Sequence, residues 1–72
     1  MALDFAKLKS LSVDELEALS EEHSIRASRI MHRAQLTADS ADRRNYNLRA
    51  NSELRTAEQI IRLAMRKASE GR

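Results

Sequence analysis

Between Leu11 and Ala68 the apolar residues recur every three or four positions, with no proline anywhere and the single glycine at position 71. At about 100° per residue, Leu16, Leu19, His23, Ala27, Ile30, Ala34 and Thr37 fall on one stripe. Tyr46, Ala50, Leu54, Ala57, Ile61, Ala64 and Ala68 fall on a second. Alanine, leucine, glutamate and arginine, all good helix formers, fill the intervals. The pattern predicts an all-α fold.

The two stripes do not join in register. Carried forward in alternating steps of three and four, the first leads to Arg44, Leu48, Asn51 and Arg55, a poor core, so the phase shifts between residues 37 and 46. A turn near residues 37–45 accounts for the shift. Asp39 or Ser40 suits the N-cap of the second helix, and a short polar link joins antiparallel neighbours. The expected architecture is therefore an antiparallel two-helix hairpin over residues 12–70, preceded by a short helical segment over 1–11 in which Leu3, Phe5, Leu8 and Leu11 fold over the bundle end. An unbroken helix, paired with a second chain, is the alternative.

The start of the first long helix is marked by a reciprocal pair. Ser12 is placed as N-cap and Glu15 stands three residues on, a capping box, with Leu11 and Leu16 as a hydrophobic staple.

Charge supports the fold-back. Residues 1–24 carry two lysines against six acids, a net of −4, and residues 25–72 carry eleven cations against five acids, a net of +6. Folding back about residue 39 sets Asp14, Glu15 and Glu17 near Arg62, Arg66 and Lys67, and Arg26 and Arg29 near Glu53. Such exposed pairs are worth about 0–1 kcal/mol each, so they choose a register more than they stabilise it.

At 72 residues the chain buries a modest share of its surface and needs reinforcement. Without cysteine it has no disulfide and no thiolate metal site, which fits a reducing, cytoplasmic setting. The opening MALDFAKLKS is too short and too charged for a signal-peptide core, and no apolar run approaches the roughly 20 residues that span a bilayer. Association is the remaining remedy: Leu16, Leu19, His23, Ile30, Leu54, Ala57, Ile61 and Ala64 are expected to form the core or dimer seam of a four-helix bundle built from two hairpins. Ile25, Leu36, Leu48 and Leu63 lie off the stripes, Ile60 stands beside Leu63, and these are candidate dimer or partner contacts.

Chemistry is sparse. His23 and His32 lack a second ligand at metal spacing, there is no HExxH pattern or phosphate-binding glycine loop, and Ser28 four residues before His32 has no oxyanion donors beside it. We expect no catalytic residue, no metal, no cofactor and no small-molecule substrate. Nucleic acid is a real alternative, because Arg44, Arg55, Arg62 and Arg66 align within about 40° on the second helix, flanked by Arg43 and Arg49. With only Phe5 and Tyr46 as aromatics, base stacking is poorly served.

The segment Lys9-Ser10-Leu11-Ser12-Val13-Asp14-Glu15-Leu16 resembles the start of the small bacterial ribosomal protein that forms a two-helix hairpin near the peptide exit of the large subunit. That resemblance implies ribosomal RNA binding through the second helix. It covers about ten residues; the family's glycine-containing link and lysine-rich composition are missing here. The reading favoured instead is a protein that binds and modulates, by inhibition, a larger protein. Its contacts are Ile25, Leu36, Leu48 and Leu63, with Arg43, Arg44 and Arg49 steering toward an acidic surface. In kind, though not by any motif, it is similar to the short helical proteins that phages encode against host factors.

Overall fold

The computed structural model describes residues 4–70, folded as α1 (Phe5–Lys9), α2 (Val13–Leu36) and α3 (Ser40–Glu70). No strand occurs among the described residues. The chain turns, and α2 and α3 pack antiparallel along their length. The molecule measures 50 × 19 × 13 Å, so its least dimension is close to the about 10–12 Å of a single helix with side chains. It is one layer, two helices wide.

Local chemistry sets each boundary. At the start of α2 the Ser12 hydroxyl accepts from the Glu15 amide at 3.1 Å while the Glu15 carboxylate accepts from the Ser12 amide at 3.2 Å, the expected capping box. Those bonds to Ser12, with a small attraction from Lys67, hold the Glu15 carboxyl below its ordinary range despite slight desolvation. The turn is tighter than the sequence implied, because only Thr37, Ala38 and Asp39 are non-helical. Asp39 Oδ1 caps α3 by accepting from the amides of Ala41 (2.8 Å) and Asp42 (3.1 Å). Across the link, the Arg43 guanidinium donates to the Thr37 carbonyl from Nε (3.3 Å) and Nη2 (2.9 Å). No described residue needs a positive φ, which is why the turn manages without glycine.

The seam follows a heptad, written abcdefg, with Leu16, Ser20, His23, Ala27, Ile30 and Ala34 at its a and d positions on α2. On α3 they are Tyr46, Ala50, Glu53, Ala57, Ile60, Ala64 and Lys67. This corrects the expected second stripe. Leu54 is 40% exposed and Ile61 half-buried, while Ile60, read as a surface residue, is fully buried. The cause is Glu53: a hydrophobic reading steps past it to Leu54, but its carboxylate is partnered across the seam and keeps the three-four alternation intact.

The fully buried large side chains lie at the end away from the turn, where Leu8, Leu16, Ile60 and Ala64 form the core and Leu11, Val13, Leu19, Ile61 and Leu63 pack around it; Ile30 and Tyr46 stand half-buried in the seam nearer the turn. Leu8 arrives on α1, which roofs the part of α3 that outruns α2. Lys67 Nζ fastens that roof by donating to the carbonyls of Lys9 (2.9 Å) and Leu11. The rest of the buried seam is Ser20, Ala27, Ala34, Ala50 and Ala57.

The charge register holds only in part. Arg26 pairs with Glu53 at 3.7 Å as expected, but Asp14, Glu15 and Glu17 have no ion pair with Arg62, Arg66 or Lys67 among the described residues. Asp14 and both arginines point away from the seam, by heptad position, and Arg62 instead pairs with Glu58 on its own helix at 2.5 Å.

Among the described residues, Leu16 and Ile60 are the largest side chains buried completely. Ile60→Ala should therefore lower stability by about 2–5 kcal/mol, a large part of the roughly 4–11 kcal/mol expected for a chain of this size. Leu36→Ala, at the exposed end of α2, should change it by less than about 0.5 kcal/mol. Urea unfolding followed by circular dichroism measures both; equal losses would place the core elsewhere.

Candidate interaction surface

The middle of the seam is polar, and it decides how the outer surfaces are disposed. Ser20, buried on α2, donates its hydroxyl to the backbone carbonyl of Ala57 on α3 at 2.9 Å. One turn further, His23 Nδ1 donates to Glu53 Oε2 at 2.5 Å, and Arg26 approaches the other carboxylate oxygen. The bond from His23, with smaller attractions from His23 and Arg26, holds the Glu53 carboxyl below its ordinary value of 4.5 against the opposing effect of partial burial. Every buried side-chain nitrogen and oxygen among the described residues has a partner. A satisfied polar rung inside an otherwise alanine-lined seam fixes which residues face each other, since a slip would strand these groups.

In an antiparallel pair, positions turned in the same sense from the seam fall on the same face of the hairpin. The g face carries Leu19, Arg26 and Arg33 from α2 and Arg49, Thr56 and Leu63 from α3. At its base α1 covers it, leaving shallow grooves lined by Phe5, Lys9, Leu63 and Arg66. The e face carries Glu17, Ser24 and Met31 from α2 and Leu54 and Ile61 from α3, with Met65 beside them. It lies away from the grooves that α1 forms, and its Leu54 and Met65 are exposed.

The expected partner residues separate accordingly. Ile25 (46% exposed) and Leu36 (75%) lie on the outer edge of α2, and Leu48 (61%) lies on the outer edge of α3. Leu36 and Leu48 both stand toward the turn, Ile25 nearer the middle of α2, and Leu63 does not join them because it is half-buried against the core. Of the arginines, Arg43 is engaged with the turn carbonyl, whereas Arg44 and Arg49 are exposed. Arg29 and Arg33 line an open surface of α2 with Ser28 and His32. The turn half of the molecule is thus arginine-rich and acid-poor, and the acids of α2 gather at the opposite end.

Of the expected seam residues, the structure brings Leu16, Ala57 and Ala64 into the buried interface and leaves Leu19, His23, Ile30 and Ile61 half-buried along it. Leu54 stands outside it. No group of three or more His, Asp or Glu among the described residues is placed to hold a metal, and no described helix is long and apolar enough to cross a membrane.

No family model, curated protein or solved structure matches this chain. The likeness at Lys9–Leu16 to the ribosomal hairpin therefore rests on that segment alone, and its Ser12 and Glu15 act here as the capping box of α2.

Sequence reasoning missed Ser20, and the place of Glu53 in the seam opposite His23, because it searched for apolar positions. A signal existed. It was partial: folding back about residue 39 brings Ser20 within one residue of Ala57 and His23 within two of Glu53, the partners they have in the structure. It also missed the exposure of Met31 (39%) and Met65 (67%), which follows from the corrected phase of the seam.

Because folding lowers the Glu53 carboxyl below 4.5, the stabilisation from its partners is complete above that pH and is lost as pH falls through the lower folded value. Glu53→Gln should therefore flatten the acid limb of a stability-versus-pH curve and cost about 1–3 kcal/mol near neutrality. Chemical denaturation across pH tests it, and parallel acid limbs for the two proteins would show that Glu53 contributes nothing there.

Proposed function

We propose that this chain is a small non-enzymatic helical protein that binds a larger protein with its turn end and modulates it, by inhibition through occupying a surface. The observation that carries this reading is the exposure of Leu36 on the outer edge of α2 and Leu48 on the outer edge of α3, 75% and 61%, in the half of the molecule that also carries exposed Arg33, Arg44 and Arg49. Apolar anchors with a cationic surround suit a groove with an acidic rim: the leucines supply desolvation, and the arginines supply orientation and a faster encounter. In kind, though not by any motif, such a protein would be similar to the short helical proteins that phages direct against host factors. The form we propose to act is a dimer of hairpins, cytoplasmic, without cofactor or substrate.

A second reading has its own observation. Arg44, Arg55 and Arg66 have no ion pair among the described residues, and Arg62 pairs only within its own helix. The commitment to α2 acids that would have occupied Arg62 and Arg66 is absent, so the outer edge of α3 offers a row of arginines to a phosphate backbone. The protein reading is preferred because Leu48 interrupts that row and almost no aromatic surface accompanies it.

Affinity capture with the wild-type chain and with Leu36→Ser/Leu48→Ser, each with and without nuclease, separates the two. A protein retained after nuclease by the wild type and reduced at least about tenfold by the double variant, corresponding to roughly 1.4 kcal/mol, supports the turn-end reading. A partner held equally by both would sink it. If the captured material is nucleic acid, its affinity should fall steeply with salt and weaken on Arg44→Ala/Arg55→Ala.

A further inference from the structure

The two faces flanking the seam are unequally covered, and the uncovered one holds a compact apolar patch. Leu54, Ile61 and Met65 lie within about 40° of one another on α3, away from the grooves that α1 forms with Leu63 and Arg66, with Ile61 also packed against the core. Leu54 is 40% and Met65 67% exposed, with Ile61 half-buried between them. They span three turns of one rigid helix.

We propose that a second copy of this chain docks on this patch, α3 against α3, about a twofold axis crossing α3 near residue 60. The inference rests on the dimer reading and names its surface. Two observations select a second copy as the occupant. The first is charge. Glu58 and Arg62 flank Ile61 on the same side of the patch and now pair only with each other. An antiparallel twofold there brings Glu58 of each copy to Arg62 of the other and sets Leu54 of each against Met65 of the other. The patch is complementary to itself, as a closed two-fold interface requires.

The second is area. The chain exposes 5795 Å², where a compact monomer of 8.2 kDa exposes roughly 4,500 Å². The excess is on the scale of the roughly 800 Å² that each partner of a stable interface buries. A second copy docked on this face would bury area on that scale. The face is also distinct from the turn end, so a dimer leaves Leu36, Leu48 and the neighbouring arginines available.

Sedimentation of the wild type over a concentration series should give twice the 8.2 kDa chain mass. Met65→Lys should return it to the monomer mass with helix content unchanged, because Met65 lies outside the seam. Glu58→Arg should raise the dissociation constant about tenfold by setting arginine against Arg62 of the other copy, and adding Arg62→Glu should restore it. A wild type monomeric at every concentration would overturn the dimer itself. A dimer that survives Met65→Lys, or a double charge exchange that fails to restore Glu58→Arg, would overturn this face while leaving dimerisation standing. Leu36→Ser/Leu48→Ser should remain dimeric, so loss of partner capture in that variant reports on the turn end alone.

Discussion

A serine hydroxyl that reaches the backbone of the neighbouring helix determines how near the two helices stand. Ser20 can donate to the Ala57 carbonyl only where the helices come close, and the small side chains at these two seam positions permit that approach. Packed helices stand about 8–10 Å apart, with small residues favouring the nearer spacing. Close approach brings backbone against backbone and leaves little room for large side chains between. The rest of the molecule reflects that constraint: a thin hairpin, a scarcity of buried leucine and isoleucine, and apolar residues displaced to the flanks.

The long axis divides into three zones with different physics. At the base, α1 and the ends of α2 and α3 enclose the only sizeable apolar core. In the middle, Ser20, His23, Arg26 and Glu53 replace apolar contact with directional bonds. Toward the turn, alanines hold the helices together and the surface becomes arginine-rich. Directional bonds contribute less net stability than apolar burial of the same volume, but they punish misalignment more severely. Their value here lies in specifying register along helices whose alanines would tolerate sliding.

Much of the architecture was legible from sequence because it depends on local rules. Ser12 and Glu15 announce a capping box whatever surrounds them, Asp39 announces the start of α3, and the phase break between the stripes demands a turn. The phase of the second helix was less legible. Leu54 and Glu53 are neighbours, and which of them enters the seam depends on whether a histidine waits on the opposite helix. That is a pairwise fact no single-helix pattern contains. The surface was harder again: Leu63 looked free until α1 was seen to lie beside it, and Arg62 looked bound to α2 until it was seen to face the other way. Contacts between remote parts of the chain set both outcomes.

Placing the core at the base, far from the turn, governs how the hairpin closes. Leu16 and Ile60, and Leu8 with Ala64, are more than forty residues apart along the chain, while the fully buried seam residues nearest the turn are alanines, with Ile30 and Tyr46 half-buried among them. A hairpin that zips outward from its link gains little from each early rung, and each further rung fixes more backbone. The substantial gain comes only when the last rungs meet and α1 settles over them. A partly zipped hairpin thus lacks the contacts of Leu8, Leu16 and Ile60, which form near the free ends of the helices rather than at the link.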